Sequence, residues 1–144
     1  MVAVTTRGAL RRPALTALSI PILAALACGG SDPVPELFGT WEWVGTSGGI
    51  TGDSRPPQPD DPVIKVRFAP DGTAAFSRDG EVAREQRYRL SSEVTIFGPE
   101  PLPVLYFDDE DMGRVVRIED SGTALTLSDN VHDGFALQYR RVTE

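Results

Sequence analysis

The chain has 144 residues, with 14 Lys+Arg against 21 Asp+Glu, one Cys, one His, 14 Gly and 12 Pro, and a formal charge of −7. The length holds one ordinary domain with a short appendage, and the acidic balance argues against nucleic acid as a partner. One Cys excludes an internal disulfide, one His excludes a multi-histidine metal site, and the Gly and Pro content suits a turn-rich β domain rather than a helical bundle.

The first 27 residues carry Arg7, Arg11 and Arg12 and no acidic residue. From Pro13 to Ala27 the chain is almost wholly apolar, ending Ala24-Ala25-Leu26-Ala27. A positive lead, a short apolar run and a small residue at its end are the pattern of a removable export signal, and the run is too short for a comfortable membrane span. Ala25-Leu26-Ala27-Cys28 resembles the lipobox of bacterial lipoproteins, with Ala25 standing where Leu is preferred. The resemblance implies cleavage before Cys28 and acylation (palmitate among the chains) of that residue, anchoring the protein to the bilayer. Two or more acyl chains make such an anchor stable. Residues 28–36 then form a tether, opened by Gly29-Gly30-Ser31-Asp32-Pro33. Gly29 is not the Asp that would favour retention at an inner membrane, so the expected address is the cell envelope, the outer membrane ahead of the inner. Without residues 1–27 the chain carries 11 positive against 21 negative charges, a formal −10.

From residue 37 to 143 the pattern is a single domain of period two. Gly39–Val44 alternates, with Trp41 and Trp43 on one face. Gly45–Pro62 is Gly- and Pro-rich and reads as a long loop. Val63–Ala69 and Thr73–Ser77 flank the turn Pro70-Asp71-Gly72, and Arg78-Asp79-Gly80 leads into Glu81–Leu90. Val94–Phe97 and Val104–Phe107 read as separate pieces around a stiff loop, Gly98–Pro103. Arg114–Glu119, Thr123–Ser128 and Gly134–Val142 close the chain. About eight strands joined mostly by tight turns predict an all-β, antiparallel, up-and-down barrel, with a two-sheet β-sandwich as the alternative. Closure removes exposed edges, which favours the barrel.

Leu37-Phe38-Gly39-Thr40-Trp41 resembles the Gly-x-Trp opening of lipocalins, and Tyr139-Arg140-Arg141 is similar to the place where that family sets an Arg over the Trp. The nearest likeness is to small lipocalin-like lipoproteins of bacteria, which end in a pattern similar to Asp133-Gly134-Phe135 to Arg141. The resemblance implies a barrel closed at one end by Trp41 and Arg141, with an open mouth for a small apolar ligand. By parity Arg141 points inward and Arg140 to solvent. Trp43, Phe68, Phe76 and Tyr88 are the expected lining. Arg84 and Gln86 share the inward parity of Tyr88 and Leu90, which makes them candidates for a polar contact at the mouth.

The acidic runs Asp108–Asp111 and Asp129–Asp133 lack the alternating ligands of a calcium loop and read as solvated turns. His132, Ser47 and Ser54 have no partner in a catalytic arrangement, and no cofactor or metal site is expected. The leading expectation is a non-enzymatic binder of a small apolar or amphipathic molecule. The rival is a packed barrel that meets another envelope protein. Interior space separates the two.

Overall fold

The computed structural model describes residues 34–143. Residues 1–33, on which the expected export signal, Cys28 and most of the expected tether fall, lie outside the described residues. After a short 3-10 turn at Pro35–Leu37, nine strands follow: β1 (Gly39–Gly48), β2 (Asp53–Arg55), β3 (Ile64–Phe68), β4 (Thr73–Arg78), β5 (Glu81–Thr95), β6 (Gly98–Phe107), β7 (Arg114–Glu119), β8 (Ala124–Asp129) and β9 (Phe135–Arg141). Each pairs antiparallel with its neighbour in the order β2-β1-β3-β4-β5-β6-β7-β8-β9, and β9 returns to β1. That last pairing, Trp41 opposite Arg141 through Gly48 opposite Phe135, closes eight strands into a barrel and excludes the sandwich. No helix among the described residues is long and apolar enough to cross a membrane.

Alternation within each strand builds the core. Trp41, Trp43, Val66, Phe68, Ala74, Tyr88, Leu105, Phe107, Val116, Leu125, Leu127 and Tyr139 share the inner face and form one buried cluster. Because the strands run up and down, the connections alternate between two ends. The chain enters at one end, beside the β3–β4 and β7–β8 turns. The β1–β2, β4–β5, β6–β7 and β8–β9 connections gather at the other.

Two expected loops are partly strand. The segment expected to be a loop from Gly45 begins with four more residues of β1, which a β-bulge between Trp43 and Gly45 carries on past the barrel's first layers. Gly48 and Gly49 then turn with φ of 115° and 77°, and β2 pairs back with Thr46, Ser47 and Gly48. The second correction is Gly98–Pro103, which is continuous strand. Pro99, Pro101 and Pro103 fall at every second position, so their missing N–H groups share one edge. A strand can carry them only where that edge is unpaired. It is: β7 meets β6 only at Val104 and Leu105, and residues 98–103 pair with β5 alone. Likewise Val94 and Thr95 are the end of β5 rather than a separate strand.

The far part of the β5–β6 hairpin therefore leaves the barrel wall as an arm. Its tip folds against the outside of β7 and β8. The Arg117 guanidinium stacks 4.8 Å from the Phe97 ring, and the Ile96 N–H donates to Asn130 Oδ1 at 3.1 Å. Val104 and Val115, of outward parity, are fully buried at the arm's base.

Candidate functional site

Trp41 and Arg141 meet at the end where the chain enters. Trp41 is completely buried, and its indole N–H donates to the Leu37 carbonyl at 2.8 Å. The Arg141 guanidinium lies 4.2 Å from the Trp41 ring and donates to the carbonyls of Gly122 (2.6 Å), Phe38 (2.9 Å) and Glu36. Every donor contact closes the barrel floor against the backbone of the entering segment and of the β7–β8 turn. Arg140 faces outward and pairs with Glu42 at 3.2 Å.

The six residues read as a ligand lining divide into two groups. Trp43, Phe68, Phe76 and Tyr88 pack against one another's neighbours in the barrel centre. Phe68 stands edge-on to Tyr88 at 5.3 Å and stacks on Phe107 at 6.5 Å, while Phe76 meets Phe107 at 5.5 Å. The polar tips are satisfied inside: Trp43 Nε1 donates to Thr46 Oγ1 at 3.1 Å, and Tyr88 Oη to the Ala69 carbonyl at 2.7 Å. Phe107 is the ring that completes this packing. Sequence reading left it unassigned, although its parity with Leu105 marks it as inward. These rings fill the side of the interior framed by β3 to β6.

Arg84 and Gln86 sit instead on the rim of the opposite end. Arg84 stacks over Phe76 at 4.7 Å and lies 3.9 Å from Asp109, and the Gln86 amide donates to the same Asp109. The Gln86 carbonyl oxygen is buried without a partner. A bulge opposite Phe76 and Ser77 turns the start of β5 outward, leaving Val82 exposed although it shares Tyr88's parity.

A second inward cation, Arg114, escaped the sequence reading. It bridges Glu110 at 2.8 Å and Asp129 at 3.3 Å and lies 5.7 Å from the Phe107 ring. Below it, burial pushes the Tyr139 phenol up to about 12. The two acidic runs thus do more than face water. Glu110 and Asp129 supply the counter-charges that the largely buried Arg114 requires, while Asp109 and Arg84 form an exposed pair at the rim. No cluster of three potential metal-ligating side chains occurs among the described residues.

Space opens at both ends of the barrel: a cleft of about 520 Å³ at the closed end is lined by Val34, Pro103, Val116 and Ile118 among others, and one of about 380 Å³ inside the mouth by Thr46, Arg114, Asp129, Phe135 and Leu137. At the surface of the mouth, a cleft of about 590 Å³ is lined by Thr46, Ile50, Asp53, Arg55, Asp133 and Phe135 among others, and a neighbouring one of about 260 Å³ by Ile96, Phe97, Val131 and Phe135. Arg55 ties this region down through Asp61 at 3.0 Å and lies 5.6 Å from the Trp43 ring. Comparison with models of protein families, with curated proteins and with solved structures finds no match for this chain.

Proposed function

We propose that this chain is an exported bacterial lipoprotein, acylated at Cys28 and held at the cell envelope, the outer membrane ahead of the inner. Its barrel is a packed, non-enzymatic scaffold that meets another envelope protein through its open end. The observation that supports this reading is the packing of aromatic rings inside the barrel. Phe68 meets Tyr88 and Phe107, and Phe76 meets Phe107, along the consecutive strands β3 to β6, on a side of the interior where a lipophile carrier would need part of a continuous cavity of a few hundred Å³. The envelope address rests on the Arg-then-apolar lead and on Ala25-Leu26-Ala27-Cys28.

One observation favours a second reading, a small amphipathic molecule held at the mouth. The 590 Å³ cleft pairs the apolar Ile50 and Phe135 with the cation Arg55. Native mass spectrometry of the protein purified from its own envelope separates the two. Under the first reading the chain, carrying the mass of acyl groups on Cys28, travels with a second polypeptide. A stoichiometric small lipophilic mass, present without a second polypeptide, would overturn it in favour of the second.

A further inference from the structure

The open end carries a continuous strip of exposed apolar side chains contributed by three separate connections. Ile50, from the β1–β2 turn, is 90% exposed and Phe135, at the start of β9, is 53% exposed. Val131, in the β8–β9 loop, and Ile96 and Phe97, at the arm tip, are between 40% and 46% exposed. The two surface clefts of the mouth share Gly48 and Phe135, so these five side chains border one surface.

The strip is held in shape by backbone contacts. Gly49 N–H donates to the Gly134 carbonyl at 3.1 Å, and a side chain at Gly48 would strike that same carbonyl at 2.4 Å. At Gly49 a Cβ would press on the Phe135 ring at 3.1 Å, so two glycines at positive φ let the turn lie on Phe135. Asp129 Oδ2 accepts the Phe135 N–H at 3.0 Å, and Asn130 binds the arm tip. Three loops that could each move alone are thereby locked to one another. A preorganised apolar patch of this kind marks an interaction surface.

Charge selects the occupant. The cations nearest the larger cleft are paired with carboxylates, Arg55 with Asp61 and Arg114 with Glu110 and Asp129, while Arg117 lies outside both clefts, stacked on the Phe97 ring. Asp53 and Asp133 line the larger cleft with no salt bridge among the described residues. An apolar centre flanked by unneutralised carboxylates repels a second copy of itself, and it repels an anionic bilayer. The described chain also enters at the far end, beside Val34, so a lipid anchor on residue 28 would leave the strip on the barrel end remote from the point of attachment.

We infer that this strip docks a protein partner that presents an aromatic or aliphatic knob for the cleft between Ile50 and Phe135, ringed by Lys or Arg side chains facing Asp53 and Asp133. The inference rests on the partner-binding reading and specifies its surface.

The test is photo-crosslinking in the native envelope of the full chain, with benzoylphenylalanine in place of Ile50, in place of Val131, or in place of Glu119 at the opposite end. Positions 50 and 131 are expected to give one discrete adduct with a different polypeptide, whose crosslinked peptide is basic and which Glu119 does not give. Asp53→Lys with Asp133→Lys is expected to lower that adduct by about tenfold, since like charges at a rim oppose encounter. An adduct of twice the chain's mass, an adduct with phospholipid, or a yield indifferent to the charge reversal would each overturn the inference. A polypeptide adduct from position 119 alone would overturn it while leaving the assembly reading intact, and the absence of any polypeptide adduct at all three positions would overturn both. Each of the two strip positions checks the other, because both side chains are exposed and neither is part of the core.

Discussion

The two ends of this barrel use the same kinds of residue in opposite ways. At the closed end an indole and a guanidinium are turned inward, and Arg141 satisfies itself on three backbone carbonyls while covering Trp41. At the open end Arg84 and Arg114 are matched to carboxylates from loops, and large apolar side chains are left in solvent. The first arrangement maximises burial and backbone satisfaction, and so serves stability. The second leaves apolar surface unburied, at a cost to solubility that stability does not require. The difference sets a fully satisfied, buried end against an end with exposed apolar surface, which is what the proposed interaction needs.

That contrast can be broken by substitution. Trp41→Ala removes a completely buried ring and is expected to cost about 4 kcal/mol of unfolding free energy, measured by urea denaturation. A loss below about 1 kcal/mol would mean that the floor is not where the barrel is held together.

The next largest effect is a pH dependence. Tyr139 is raised from 10.0 to about 12 by burial, with the Arg114 charge opposing and Glu110 reinforcing the rise. A phenol whose folded pKa is raised keeps its proton in the native state after the unfolded chain has lost its own. Its contribution is complete below pH 10 and is lost as pH climbs from about 10 to 12, on the order of 3 kcal/mol across that window. Tyr88 and Tyr106 are shifted in the same direction, so they add to the slope without reversing it. Tyr139→Phe is expected to flatten most of the fall when unfolding is followed by circular dichroism between pH 9 and 12. An unchanged slope would place the phenol in solvent.

The smallest expected effect is Ile50→Ser, which should move stability by no more than about 0.5 kcal/mol by thermal denaturation, because the side chain is 90% exposed. A clear destabilisation would show that the open end is part of the core and would erase the contrast between the ends.

Much of the barrel was legible from alternation alone. Phe68 lies opposite Ala74, and Leu125 opposite Tyr139, in registers that turns at 70–72 and 129–134 make natural. The pairing of Trp41 with Arg141 was implied by the resemblance to lipocalins, and parity in the last strand chose Arg141 over Arg140. Gly98–Pro103 was misread because prolines are locally poor strand formers, and their tolerance depends on β7 turning away, which no local pattern records. The packing of the rings was equally out of reach: parity sends Phe76, Tyr88 and Phe107 inward, but only their heights along tilted strands decide whether rings interlock or leave a void. Arg114 and its carboxylates were missed although both partners are near in the chain's pairing, Glu110 four residues before it and Asp129 directly opposite it on the next strand, because the acidic runs were read only as solvated turns.

The sequence by itself determined the all-β class, the strand order and the residues of the inner face, since these depend on a period of two and on turns between neighbours. Tertiary structure decided closure, the arm folded over β7 and β8, the pairing of rim charges and the contacts between the central rings. Those features depend on strand tilt, bulges and side-chain volume summed around the whole barrel. The −7 of the full chain acquires its meaning there as well: the acidic residues divide into those beside Arg84 and Arg114 and those, Asp53 and Asp133, with no salt bridge among the described residues.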